Sequence, residues 1–274
     1  MALHYPLEVI MEILGIPAED YPFMLRLTQQ IFAPADPDAM PEGLDLNDPA
    51  FQAKATAATT EALSGYFSKV SADRRANPRD DLSSVIANAE IDGQRISDMD
   101  AMGYYITVAT AGHDTTSNTT GAIMYGLATV PGLLERVKAD LSLIPALVEE
   151  ALRWSSPAKH FMRSVTTDME FQGRHFKAGD WVMICHASGN QDESRFPDPL
   201  SFNIDRPKSE HLAFGYGAHM CLGQHLGRQE MRILLEHLLP ALKSVELAGQ
   251  PEMMQSRFVT GFKHLPIRFE MEAA

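Results

Sequence analysis

Apolar residues recur at helical spacing from the start of the chain, where Leu7, Ile10, Met11 and Leu14 share one face. They predict a helix over Pro6 to Leu14, stopped by Gly15-Ile16-Pro17. A second helical stretch runs to about Phe32. From Ala33 to Ala50 four prolines and several aspartates replace the periodicity, which reads as a long loop. Leu63, Tyr66, Phe67 and Val70 restore helical spacing, and Asn77-Pro78 ends that helix.

Ser97 is a candidate N-cap with Asp100 three residues on, and no proline follows until Pro131. The stretch predicts one helix of about 30 residues, about 45 Å long. Its apolar positions include Met102, Tyr104, Tyr105, Ile106, Val108, Ala109, Ala111 and Ile123, which cover most of the circumference and place it in the interior. Leu133 to Ala139 and Pro145 to Trp154 read as short helices. Between Asp168 and Ile184, Gly173 and Gly179 separate short apolar runs, as in hairpins. Met231, Leu234, Leu235 and Leu238 mark a last helix ending at Pro240, followed by loops and a small hairpin. The pattern is mainly α with small β-sheets. No internal repeat or linker interrupts it, so residues 1–274 are expected to form a single domain.

A hydrophobic fraction of 45% over 274 residues supports a large core. The net charge of −13 opposes phosphate backbones and anionic membranes, which argues against nucleic acid as a partner. No run of eighteen apolar residues occurs, and the first residues carry neither the basic region nor the cleavage site of a secretory signal; the expectation is a cytoplasmic protein. Two cysteines, Cys185 and Cys221, are too few for a disulfide framework.

The most informative segment is HLAFGYGAHMCLGQHLGR, His211 to Arg228. Gly215, Gly217 and Gly223 let the backbone approach a flat ligand and turn before the next helix. Cys221 at that helix's N-terminus is placed where thiolate is favoured, as iron binding requires. Three other readings stand beside this one: a merely buried cysteine, a disulfide with Cys185, and a zinc site shared with His219 and His225. AGHDTT, Ala111 to Thr116, sets Gly112 inside a helix at a cost of about 1 kcal/mol, which points to close backbone approach or a local widening. Asp114 and Thr115 beside it form a carboxylate–hydroxyl pair suited to a proton relay. The alternatives are a polar turn facing solvent and a His113-Asp114 metal pair. Glu150 and Arg153 are helix neighbours, which by spacing alone reads as an exposed ion pair.

In this order and spacing the three motifs resemble the cytochrome P-450 superfamily of haem-thiolate monooxygenases. Phe214, Gly217, Cys221 and Gly223 match F-x-x-G-x-x-x-C-x-G, AGHDTT matches the oxygen-activation helix, and Glu150 with Arg153 matches E-x-x-R. Phe196-Pro197-Asp198-Pro199 and Phe202 to Arg206 extend the match. HFMRS, GAHMCLGQHL and LLPALKSVEL are most like the bacterial alpha-terpineol hydroxylase group. Gln191 and Asn203 depart from a frequent arginine and aspartate. A further N-terminal third found in family members has no counterpart, so the chain reads as the C-terminal two-thirds of such a domain.

The resemblance implies haem b with Cys221 as axial ligand to its iron, Arg163 and His219 at the propionates, and Phe214, Gly215, Gly217, Gly223, Ala111 and Gly112 lining the cofactor. Arg206 would join Glu150 and Arg153 in a structural triad. Asp114 and Thr115 would supply protons for oxygen activation, and Tyr105, Val108, Ala111, Phe161, Met162 and Phe258 would line a pocket for a small apolar, terpenoid-like substrate. For each of these last six, ordinary core packing is the competing reading. A ferredoxin and ferredoxin reductase would deliver electrons for use with O2, with Lys208 and Arg228 as candidate docking cations. The alternative in another class is a haem-binding protein without catalysis, or an inactive fragment.

Overall fold

Helix α1 (His4–Leu14) buries Leu7, Ile10, Met11 and Leu14, the predicted stripe, and Gly15 caps it in the left-handed conformation. The computed structural model describes residues 2–34, 36–38, 48–207 and 210–272. Contacts divide the chain into two compact units: Met1–Gly121 with Pro251–His264, and Ala122–Gln250 with Leu265–Ala274.

The first unit contains α1, α2 (Tyr21–Phe32), α3 (Pro49–Ala76), α4 (Leu82–Ala87), the hairpin β1 (Glu90–Ile91) and β2 (Gln94–Arg95), and α5 (Asp98–Ala111). Its core holds Leu7, Met11, Leu14, Met24, Leu63, Phe67 and Tyr105. Arg74 is buried against Asp81 at 2.6 Å and donates to the Gly15 carbonyl at 2.8 Å, tying α3 to the end of α1. Helix α3 begins at Pro49, inside the stretch read as loop, because Asp48 caps it and proline is tolerated in a first turn. The rest of that expected loop lies largely outside the described residues. The β1–β2 hairpin and α4 carry too little periodicity to be seen in sequence.

The expected continuous helix after Ser97 is two helices. Helix α5 stops at Ala111 and α6 (Asp114–Thr129) starts two residues later, the division between the units falling within α6. Ser97 does cap α5, its hydroxyl accepting from the Asp100 N–H.

The second unit packs α6 from Ala122, α7 (Leu133–Ala139), α8 (Ile144–Ser155) and later α10 around Ile123, Leu134, Val137, Leu147, Leu152, Met231, Leu235 and Leu239. Strand β3 (His160–Ser164) pairs antiparallel with β6 (Trp181–Cys185), while β4 (Met169–Phe171) and β5 (Arg174–Phe176) form the foreseen hairpin. Short α9 (His186–Asn190) follows. Helix α10 (Gln224–Ala241) keeps Pro240 in its last turn, where the sequence reading had it end. Strand β7 (Leu242–Leu247) pairs with β10 (Ile267–Met271) in this unit, and β8 (Glu252–Met253) with β9 (Phe262–His264) in the first.

Candidate active site

The loop from Phe214 to Gly223 leads into α10. Gly215 and Gly217 take positive φ angles of 70° and 73°, which side-chain-bearing residues rarely adopt, and the Cys221 N–H closes the loop on the Phe214 carbonyl at 2.9 Å. Cys221 is exposed and free, as is Cys185, so no disulfide joins them. Burial pushes the Cys221 thiol up and outweighs the Gly223 N–H and the charge of Arg228, which pull it down, so the protein alone does not favour the thiolate that the sequence predicts there. Among the described residues no group of three His, Cys, Asp or Glu side chains could hold a metal, which removes the zinc reading. An accessible thiol with no cluster of further protein donors among the described residues would fit a metal whose other ligands come from a prosthetic group.

Behind the loop lies a buried network. Arg153 and Glu150, read from spacing as an exposed pair, are 0% and 3% exposed and share two hydrogen bonds of 2.8 and 2.7 Å. Arg153 also donates to the carbonyls of Asn190 and Pro199 at 2.9 Å. Glu150 Oε1 further accepts from Arg206 Nε at 3.1 Å and from the Asn203 N–H at 2.9 Å. The departure at Asn203 is accommodated locally, since its side-chain oxygen accepts from the Asp205 N–H. Nothing in the structure explains Gln191.

A second cluster escaped the sequence reading. Burial alone would raise the pKa of Glu149, but hydrogen bonds from His211 (3.0 Å) and Arg228 outweigh it and hold the carboxyl down at about 2. The Arg228 guanidinium lies 4.4 Å over the Phe214 ring. Arg228 is therefore compensated by Glu149 and packed on the cysteine loop, not an open docking cation. Lys208 lies outside the described residues.

Beside this loop in the same unit, β3 and β6 leave Phe161, Met162, Met183, Ile184 and Trp181 exposed. Arg163 donates to the Met162 carbonyl, and no carboxylate among the described residues pairs with it. His219 is exposed. His186 packs on Phe161 and is buried with Nδ1 lacking a hydrogen-bond partner; burial, then the charges of Arg163 and His160, push its pKa down. The Arg163 guanidinium beside these apolar strands suits a ligand with an anionic edge on an apolar body.

In the first unit, Gly112 caps α5. A Cβ there would come 2.8 Å from Ile10 Cγ1 and 3.1 Å from the Val108 carbonyl oxygen, so the glycine leaves room for a side chain of α1 at a helix break. Thr115 spans the helix break, its hydroxyl donating to the Ala111 carbonyl at 2.9 Å. Ala111 is exposed, and Thr115, Val108 and Phe258 are half-buried, Phe258 stacking on Phe32. His113 and Asp114 are buried, not solvent-facing, with His113 Nδ1 3.4 Å from Asp114 Oδ1. His113 Nε2 sits 2.8 Å from the Leu3 carbonyl oxygen, and Nδ1 3.2 Å from the Thr28 hydroxyl. Burial lowers the pKa of His113 to about 4 and raises that of Asp114 to about 7. Tyr105, expected at a substrate pocket, is fully buried, stacked on Phe67 with its hydroxyl donating to the Ser83 carbonyl; it is a core side chain.

Comparison with known proteins agrees with these motifs. The family model described as Cytochrome P450 matches residues 44–271. Cytochrome P450-terp of Pseudomonas sp is 46% identical over 268 residues, covering 98% of this chain and 63% of that protein. The methyl-branched lipid omega-hydroxylase of Mycobacterium tuberculosis is 34% identical, covering 96% and 59%. The crystal structure of CYP108D1 from Novosphingobium aromaticivorans superposes with a TM-score of 0.87 at 47% identity, covering 99% of this chain and 62% of that one. Mycobacterium marinum CYP268A2, solved in complex with pseudoionone, gives 0.89 at 31%, covering 98% and 63%. The chain thus spans about three fifths of the length of these relatives, and no helix among its described residues is long and apolar enough to cross a membrane. With the glycine-flanked thiol, the buried E-x-x-R network and these matches together, the chain belongs to the cytochrome P450 family.

Proposed function

We propose that this chain is the thiolate-bearing part of a haem-dependent monooxygenase that hydroxylates a compact apolar, terpenoid-like substrate. The observation that carries the reading is the exposed thiol of Cys221 on a glycine-rich loop, in the same unit as the buried Glu150–Arg153–Arg206 network. Cys221 would bind the iron of haem b, with Phe214, Gly215, Gly217 and Gly223 shaping its seat and Arg163 and His219 holding the propionates. The chemistry a bound haem supplies is reductive activation of O2 and insertion of one oxygen atom into a C–H bond.

The chain's own groups would manage protons and apolar contacts. Asp114 would hold a proton at its carboxyl, and Thr115 would present its hydroxyl at the break between α5 and α6, next to Ala111 and Gly112. Val108, Ala111 and Phe258 in the first unit, and Phe161 and Met162 in the second, would each offer apolar surface suited to a hydrocarbon skeleton. The likeness to P450-terp and to a relative that binds pseudoionone supports a terpenoid class of substrate. Two cysteines within these residues cannot ligate a four-cysteine cluster, so the electrons would reach this part from elsewhere; a ferredoxin with its reductase fits a bacterial relative of this kind.

The test is the absorption of the reduced, carbon monoxide-bound chain after reconstitution with hemin, beside a form extended upstream to the relatives' length. A thiolate-type Soret band that Cys221→Ser abolishes supports the reading. Protein that stays colourless in both forms, or a band indifferent to Cys221→Ser, sinks it. Turnover with ferredoxin against turnover with peroxide separates a monooxygenase from a peroxide-driven enzyme, and haem binding without either would favour a non-catalytic role.

A further inference from the structure

At the break between α5 and α6 the hydrogen-bonding possibilities of two neighbouring side chains constrain each other. The Leu3 carbonyl oxygen, 2.8 Å from His113 Nε2, can only accept, so Nε2 carries the ring proton. The ring is fully buried and neutral, which leaves Nδ1 as a bare acceptor. Two groups face Nδ1: the Thr28 hydroxyl at 3.2 Å and Asp114 Oδ1 at 3.4 Å. Thr28 has one proton, and the Leu25 carbonyl oxygen, again only an acceptor, lies 3.0 Å from its oxygen. Given to Leu25, that proton leaves Nδ1 to Asp114.

An ionised Asp114 would aim a charged oxygen at a lone pair. Its second oxygen, Oδ2, is buried without a hydrogen-bond partner, and no lysine or arginine among the described residues pairs with either oxygen. His4 on α1 is the other titratable side chain whose charge reaches His113, and it too is basic. A neutral carboxylic acid removes the conflict, because its O–H donates to Nδ1.

We propose that His113 is a positioning residue that holds Asp114 as a carboxylic acid through Nδ1, with the Leu3 carbonyl fixing the ring tautomer. The upward shift of the Asp114 pKa and the downward shift of His113, both from burial, run the same way. Use of the stored proton in oxygen chemistry rests on the function proposed above; the location of the proton does not.

Nitrogen-15 and carbon-13 NMR of the full chain, labelled at histidine and aspartate, tests the pair without haem. At about pH 6, well above the ordinary aspartate titration range, the expected result is His113 in its neutral Nε2–H form and an Asp114 carboxyl carbon still at the upfield shift of the protonated acid. In Asp114→Asn, whose amide still donates, the Nδ1 resonance keeps its hydrogen-bonded shift; in Asp114→Ala it loses it. A ring protonated at Nδ1, an ionised Asp114 at that pH, or an Nδ1 resonance equal in wild type and Asp114→Ala overturns the proposal. The wild-type spectrum decides the first two points even if a variant fails to fold. A chain that passes this test but gives no thiolate spectrum would lose the monooxygenase reading alone.

Discussion

Ile10 occupies the space that a side chain at Gly112 would need: a Cβ there would lie 2.8 Å from Ile10 Cγ1. Helix α1 is thus pressed onto the break between α5 and α6, and a methyl group must push it away. Alanine is ordinarily the better helix former by about 1 kcal/mol, yet here the overlap decides the sign. Gly112→Ala is expected to destabilise by about 1–3 kcal/mol in denaturant unfolding, and Ile10→Ala in the same chain to recover part of that loss. A neutral Gly112→Ala would show that the contact is slack.

Glu150 balances two guanidinium groups, Arg153 and Arg206, with almost no solvent. Glu150→Gln leaves both charges buried and uncompensated, which is expected to cost about 3–5 kcal/mol. Equilibrium unfolding by circular dichroism reads this directly. A loss under about 1 kcal/mol, as for an exposed pair, would contradict the buried network.

The pH dependence of stability isolates the His113–Asp114 pair. Burial raises the Asp114 carboxyl from its ordinary 3.8 to about 7 in the folded state, so its contribution is present below 3.8 and is lost as pH rises to about 7. His113 is lowered from 6.5 to about 4, so its contribution is present above 6.5 and is lost as pH falls to about 4. Between about 4 and 6.5 the two slopes oppose and nearly cancel. Asp114→Asn should uncover the histidine slope, with stability rising by about 2–3 kcal/mol across that window. Parallel curves for wild type and variant would refute the two shifts.

Arg228→Ala removes the partner of Glu149 and the cation resting on Phe214. The carboxyl is part-exposed, so after screening the expected cost is about 1–2 kcal/mol. Glu149 should then titrate closer to its ordinary value, and the stability it contributes above that value, lost as pH falls toward about 2, should shrink. Unfolding curves at about pH 3 and 7 would reveal this; an unchanged acid limb would not fit the pairing.

Thr115 bridges the break through the Ala111 carbonyl and is half-buried. In the haem-loaded enzyme extended to the relatives' length, Thr115→Ala is expected to divert electrons from product to peroxide. Measured product per NADH consumed should fall about tenfold or more, with peroxide rising to match. Unchanged coupling would remove Thr115 from the proton path.

Much of this was legible in the chain because local physics carried it. The stripe of Leu7, Ile10, Met11 and Leu14 sets α1, and the glycines around Cys221 set its loop. Glu150–Arg153 was visible only as a spacing; its burial depends on Asn190, Pro199 and Arg206, which no local pattern connects to it. The Glu149–His211–Arg228 cluster was missed for the same reason, its members lying 62 and 79 positions apart. Tyr105 sat at an apolar helical position compatible with pocket or core, and Phe67 decides for the core. The helix break was hidden because Gly112-His113 breaks no periodicity; the pull of Leu3 and Thr28 on His113 accompanies it.

Every side-chain clasp described around the cysteine loop begins and ends between Glu149 and Arg228: Glu150 to Arg206, Arg153 to Asn190, and Glu149 to Arg228. The sulfur is therefore presented by a self-contained bracket that draws none of those clasps from α1 to α5. Substitutions in the helices of the first unit therefore leave every one of those clasps intact, so the two units can vary in sequence independently as far as this bracket is concerned.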